Sequence, residues 1–272
     1  MRFARFIEGP NGLLFCTGYQ PAHGSTGRPR VMILPPFGEE MNKSRHVLAA
    51  LVRQLGDAGL VVILGDLSGT GDSGGEFAEA SIGRWRADIE TLLEEFAGTG
   101  PLKLIGLRFG ALLAADTAQR HQVDQLALLH PVSDGRQQLT QLLRLRLAAG
   151  LMGNKMSNGQ GSERMVDLTA RLAAGEGVEA AGYLLSSALA KEMQALRLED
   201  MSLDNCKRLA WFEVAPAADR PLMPVSQRLL DRWGERLDTR VEVIACDQFW
   251  ITQEIAPCAR LADRVCQWLL RD

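Results

Sequence analysis

A chain of 272 residues with 46% hydrophobic content is long enough to bury a large core, and fits one α/β domain carrying an insertion. A formal net charge of −3, with no Lys/Arg cluster interleaved with aromatics, leaves no footprint for nucleic acid. No run approaches the roughly 20 apolar residues of a membrane span, and MRFARFIEGPNG turns polar too early for a signal peptide, so a cytoplasmic protein is expected.

Short β-type runs alternate with helical ones along the chain, the pattern of a mostly parallel sheet covered on both faces. Strands are predicted at 2–8, 12–19, 30–34, 60–66, 101–106, 124–130, 207–214 and 240–246. Helices are predicted at 42–58, 81–97, 109–121, 224–236 and 255–271, from apolar residues at three- and four-residue steps. The first two strands, joined by GPNG, form an antiparallel hairpin.

Residues 134 to 203 interrupt the alternation. They offer no convincing strand, and LMGNKMSNGQGSERM (151–165) reads as a flexible connection between amphipathic helices such as LTARLAAGEGVEAAGYLLSSALAKEM. The expected division is therefore a core of 1–133 and 204–272 with a helical cap at 134–203.

Within KLIGLRFGALLA (103–114), Gly106 and Gly110 flank Arg108 as the glycines of a nucleophile elbow flank its reactive residue, and Ala111 and Ala114 keep the following helix close to the sheet. Four further stretches fall in the order such a fold requires. MILPPFGEEMNKS (32–44) follows one strand, LGDLSGTGDSGG (64–75) follows the next, WFEVAPAADRPLMP (211–224) provides Asp219 after a turn, and VEVIACDQFW (241–250) ends the last strand.

On these motifs the chain resembles the α/β-hydrolase superfamily over essentially its whole length. PPFGEEMNKSR, DLSGTGDSGG, GLRFGALLA and FWITQEI resemble, more narrowly, the exosortase A system-associated hydrolase 2 group of bacteria with exopolysaccharide and protein-sorting loci. The resemblance implies an α/β-hydrolase fold of about eight strands, and it implies where the catalytic residues would stand. Arg108 occupies the nucleophile position, Asp219 the acid position, and Gln248, beside Asp247, the histidine position. A Ser-His-Asp relay cannot be assembled from these residues, because guanidinium stays protonated and accepts no hydrogen bond.

Three roles are open to Arg108. At a helix N-terminus it can hold an anion, with the backbone N–H groups of Phe109 and Phe37 aimed at the same place. It can instead form an internal salt bridge with Glu39, Glu40 or Asp219, or act directly in catalysis by polarising a substrate carbonyl. His130, ending LALLHPV, is placed to supply a general base to a bound water or to make a rim hydrogen bond. Phe37, Glu39, Phe109 and Trp250, with Phe249, are expected around the cleft, suiting an acyl or aryl ligand that carries an anionic group.

Several strings point to no chemistry. GDSGG with Ser73 is a protease string in the wrong fold, and Gly69, Gly71 and Gly74 spell a dinucleotide fingerprint away from the first strand. His23, His46 and His121 form no cluster, and Cys16, Cys206, Cys246, Cys258 and Cys266 are expected as free thiols. No cofactor or metal is expected, and the expected partner is a small anionic or acyl molecule.

Overall fold

The structure, a computed structural model, describes residues 1–21, 27–153 and 163–271. A hairpin of β1 (Arg2–Gly9) and β2 (Gly12–Tyr19) opens the chain, followed by β3 (Arg30–Leu34), α1 (Gly38–Asp57), β4 (Val61–Gly65) and α2 (Ile82–Glu95). The elbow region is β5 (Leu102–Leu107) and α3 (Phe109–Ala118), and β6 (Val123–Leu129) follows. An inserted stretch carries α4 (Gly135–Gly153), α5 (Met165–Ala173), the small hairpin of β7 (Val178–Ala180) and β8 (Tyr183–Leu185), and α6 (Ser187–Ala195). The chain then returns through β9 (Cys206–Ala215), α7 (Pro224–Gly234), β10 (Asp238–Ala245) and α8 (Ala259–Leu269).

Eight strands form one sheet in the order β1-β2-β4-β3-β5-β6-β9-β10, parallel from β4 onward and antiparallel over the first hairpin and its join to β4. Strand side chains alternate between two apolar layers because successive Cβ atoms point to opposite faces. Met32, Leu34, Leu104, Leu126 and Leu128 pack on the side of α2, α3 and the insertion. Val31, Ile33, Ile105, Ala127 and Leu129 pack on the side of α1 and α8. This is the mostly parallel sheet that the alternating runs predict, with the eight strands that the α/β-hydrolase resemblance implies.

The insertion departs from the expectation of an all-helical cap. Residues 178–185 form an antiparallel hairpin whose two central residues, Ala181 and Gly182, have φ of 51° and 82°. That is the geometry of a tight two-residue turn, which suits Gly182 and strains Ala181. The flexible connection expected at 151–165 is only partly as read, since 151–153 belong to α4 and Met165 opens α5. Its centre, like His23, lies outside the described residues.

The insertion is tied to the core at the start of α2. Ser81 caps that helix through the Arg84 N–H, and the Ile82 and Gly83 N–H groups both donate to the Glu192 carboxylate of α6, at 2.6 and 3.3 Å. An anion at a helix N-terminus satisfies otherwise orphaned donors and meets the positive end of the helix dipole.

Among the cysteines, Cys246 and Cys258 form a disulfide, with Cα atoms 6.0 Å apart, which corrects the expectation of five free thiols. The end of β10 and the start of α8 bring the pair together, a proximity that an odd cysteine count does not reveal. Cys16, Cys206 and Cys266 are free and buried, and burial pushes the Cys206 and Cys266 thiols up to about 12.

Candidate functional site

β5 leads into Arg108, whose φ of 55° and ψ of −118° mark a sharp strand-to-helix turn before α3 begins at Phe109. A positive φ at a non-glycine residue costs of order 1–3 kcal/mol and persists only when its surroundings enforce it. The enforcement is close packing. A Cβ on Gly106 would lie 2.4 Å from Ala111 Cα, and one on Gly110 would lie 2.1 Å from the Leu34 carbonyl oxygen. The two glycines bring α3 against β5 and the end of β3, and the chain between them has only the strained turn available.

The Arg108 side chain is buried, 7% exposed, and makes contact with four parts of the fold. Its Nη2 donates to Glu40 Oε1 in α1 and to Gln141 Oε1 in α4, both at 3.2 Å, and its Nη1 donates to the His130 carbonyl oxygen at 3.2 Å. The guanidinium carbon lies 5.0 Å from the centroid of the Trp250 ring. Of the three carboxylates expected near it, Glu40 is the one that pairs. Glu39 points outward beside it, and Asp219 is exposed in the loop after β9 and is not a partner of Arg108. Two buried atoms here, Glu40 Oε2 and Arg108 Nε, have no hydrogen-bond partner among the described residues.

His130 follows β6 with φ of 38°. Its ring packs on Trp250 with centroids 4.7 Å apart, and its Nδ1 accepts from the Val214 N–H at 3.0 Å. Burial, with the nearby Arg108 charge, pushes this imidazole down to about 3. The ring is therefore neutral at physiological pH, with Nδ1 already occupied and the remaining nitrogen carrying the proton. A general base at this position has no free lone pair to offer.

Arg108 and Glu40 form part of the wall of a cavity of about 510 Å³. Phe37, Phe77, Leu142, Tyr183, Leu185 and Trp250 give it apolar walls, and Glu39 and Gln248 also line it. The cavity thus gathers Phe37, Glu39, Arg108, Gln248 and Trp250 from the residues singled out in the sequence. Phe109 departs from the expectation of a ligand wall. It is fully buried, with its ring edge-on to Phe37 at 5.1 Å and packed on Trp85. Phe249 is likewise core, set against His46 on the opposite face of the sheet.

Among the polar residues of the cavity, Gln138, Gln141, Lys43 and Arg144 belong to no motif of the sequence that marks them as site residues. Their signal is polar side chains at three-residue steps along one face of a helix. In α4 that series is Gln138, Gln141 and Arg144, and in α1 it is Glu40 and Lys43. Neither Phe37, before α1, nor Arg108, before α3, makes a side-chain capping hydrogen bond. Ser73 is structural: its hydroxyl donates to the Asp66 carbonyl and accepts from the Phe15 N–H.

A family model described as serine aminopeptidase, S33 matches residues 27–189, more than half of the chain. The protein belongs to this α/β-hydrolase family. As a member of the S33 family it is also similar in sequence to the rat palmitoyl-protein thioesterase ABHD10, mitochondrial, at 32% identity over 110 residues, 39% of this chain and 36% of that protein. The mouse protein of the same name is 32% identical over 120 residues. The matched region thus spans little more than a third of the length of these curated relatives. The fold recurs in Est1E from Butyrivibrio proteoclasticus, solved with ferulic acid, at a TM-score of 0.66 and 14% identity over 98% of both chains. It recurs too in mouse alpha/beta hydrolase domain-containing protein 10, at a TM-score of 0.57 and 16% identity over 98% of both chains. At these identities the structural likeness speaks for the S33 family's fold alone.

Proposed function

We propose that this S33-family protein binds an acyl- or aryl-type amphiphile carrying an anionic group, without covalent chemistry. The observation that carries the proposal is Arg108 at the elbow, held against Glu40 beside an apolar cavity of about 510 Å³. An elbow nucleophile needs a lone pair and a base to take its proton, and a guanidinium engaged by a carboxylate supplies neither. The apolar walls and their volume suit a small amphiphile. The palmitoyl-protein thioesterases and the Est1E solved with ferulic acid, named above, agree with a ligand of that class.

The narrower resemblance of PPFGEEMNKSR, GLRFGALLA and FWITQEI to exosortase A system-associated hydrolases supports an exopolysaccharide-linked setting in the cytoplasm. Residues 1–133 and 204–272 would serve as the scaffold, and 134–203 as the cap that sets ligand choice.

A second reading, a hydrolase or acyl-transfer enzyme with a non-standard site, is favoured by the thioesterase relatives. It would use Arg108 to polarise a carbonyl and His130, Asp219 or Gln248 to handle water. The occupied Nδ1 of His130 and the exposed position of Asp219 weigh against it.

The test is to assay the purified protein on short aryl esters and acyl thioesters and, in parallel, to follow its thermal stability with dodecanoate. No turnover, with stabilisation by dodecanoate, is the expected result. Turnover that disappears in His130→Ala would overturn the binding reading in favour of the enzyme.

A further inference from the structure

Arg108 is the conspicuous cation of the cavity, but its charge is already met by Glu40, so a ligand anion would have to displace a buried carboxylate to reach it. Two other cations line the same cavity. Lys43 lies three residues beyond Glu40 on α1, and Arg144 lies three residues beyond Gln141 on α4. The two helices that hold Arg108 therefore each carry a cation about one turn, some 5 Å, further along. Lys43 is partly buried and Arg144 exposed, and neither has an ion-pair or hydrogen-bond partner among the described residues.

Resting on the reading of this cavity as a ligand site, we propose that the anionic group of the ligand is bound at the cavity mouth by Lys43 and Arg144, and not at Arg108. Charge bookkeeping favours the mouth. The Arg108–Glu40 pair is internally neutral, whereas Lys43 and Arg144 stand against the one carboxylate of Glu39, which accepts only a long 3.4 Å bond from Asn42. An anion at the mouth keeps part of its hydration and gains two charge-assisted contacts, while one at Arg108 would be stripped of water and face Glu40.

The surrounding surface fits an amphiphile lying outward from the cavity. Leu145 and Ile251, both lining the cavity, are 50% and 58% exposed. Large apolar side chains left in water beside two unpaired cations match a molecule with an apolar body and an anionic head. The head group is a carboxylate or a phosphate monoester, both of which accept from a guanidinium fork and an ammonium.

The experiment measures affinity for dodecanoate, dodecyl phosphate and dodecanol by calorimetry, at low and high salt. It uses the parent protein, Lys43→Ala, Arg144→Ala, the double variant, and Arg108→Met/Glu40→Met, with circular dichroism to verify folding. The expected result is a loss of about tenfold in anion affinity for each rim cation removed, steeper at low salt, with dodecanol affinity unchanged. The anion that loses more in the double variant identifies the head group. The Arg108→Met/Glu40→Met variant should keep the parent's preference for anions over dodecanol. If the Lys43 and Arg144 variants keep that preference while Arg108→Met/Glu40→Met loses it, the rim assignment is overturned and the cavity still stands as a ligand site. If none of the three molecules binds the parent, the cavity reading falls, and the rim with it.

Discussion

Glu40 Oε1 accepts from Arg108 Nη2 at 3.2 Å, and this one contact joins the start of α1 to the turn between β5 and α3. The pair is largely withdrawn from solvent, with side-chain exposures of 7% and 14%. Removing one partner of such a pair strands the other charge, so Glu40→Ala should destabilise the protein by about 3–5 kcal/mol. Replacing both partners with Met removes both desolvation costs and should recover most of that loss. Urea unfolding of Glu40→Ala beside Arg108→Met/Glu40→Met measures the difference, and equal stabilities would refute a buried pair.

The elbow glycines allow a sharper structural test. A methyl group at position 110 would collide with the Leu34 carbonyl oxygen at 2.1 Å, which belongs to backbone and cannot rotate away. Gly110→Ala should lower stability by about 3 kcal/mol, and Gly106→Ala by a similar amount. Gly234→Ala, where an added Cβ meets nothing within 4 Å, is the control and should change thermal stability little.

His130 gives stability a pH dependence with a definite sign. Its imidazole is pushed down to about 3 in the folded protein, below its ordinary 6.5, so the unfolded chain binds the proton more readily. The stabilisation is fully present above about pH 6.5 and is lost as the pH falls toward 3, at up to ~1.4 kcal/mol per pH unit. Unfolding free energies of the parent and His130→Gln between pH 4 and 8 should differ in slope only on the acid side of that window. Gln can still accept from the Val214 N–H, so the comparison isolates the titration.

Filling the cavity should abolish ligand binding without unfolding the protein. Leu142 is partly buried, on α4, and lines the cavity, so Leu142→Trp places a large ring into space that is now open. The expected outcome is a thermal midpoint close to that of the parent, together with loss of the stabilisation by dodecanoate. Full retention of that stabilisation would place the ligand elsewhere.

The fold was readable because its signals are periodic. Each of the eight sheet strands begins and ends within about two residues of its predicted run. Helix starts were harder to place. α1 begins at Gly38, four residues before its predicted start, because Gly38 takes φ of 63° and turns the chain straight out of the Pro35-Pro36 run. α8 begins at Ala259, later than predicted, because Pro257 disfavours the helical conformation at Ala256, inside the expected first turn.

The hairpin of β7 and β8 escaped notice because three residues are too few to show a period of two. At the site, Arg108 at the elbow was plain, but its partner was not. Which of Glu39 and Glu40 faces inward depends on where α1 starts, and a shift of one residue rotates a helix by about 100°. Asp219 fits the same expectation because chain order alone does not show that its loop turns outward.

The Glu192 carboxylate, seated on the first N–H groups of α2, bears on how anything reaches the cavity. Swinging the insertion away from the sheet would tear that anion from a helix start and leave the donors bare. Lys43, Arg144 and Ile251 line the cavity and take no part in that contact. One carboxylate thereby fastens the inserted stretch to the core, like a bolt set into the end of a helix.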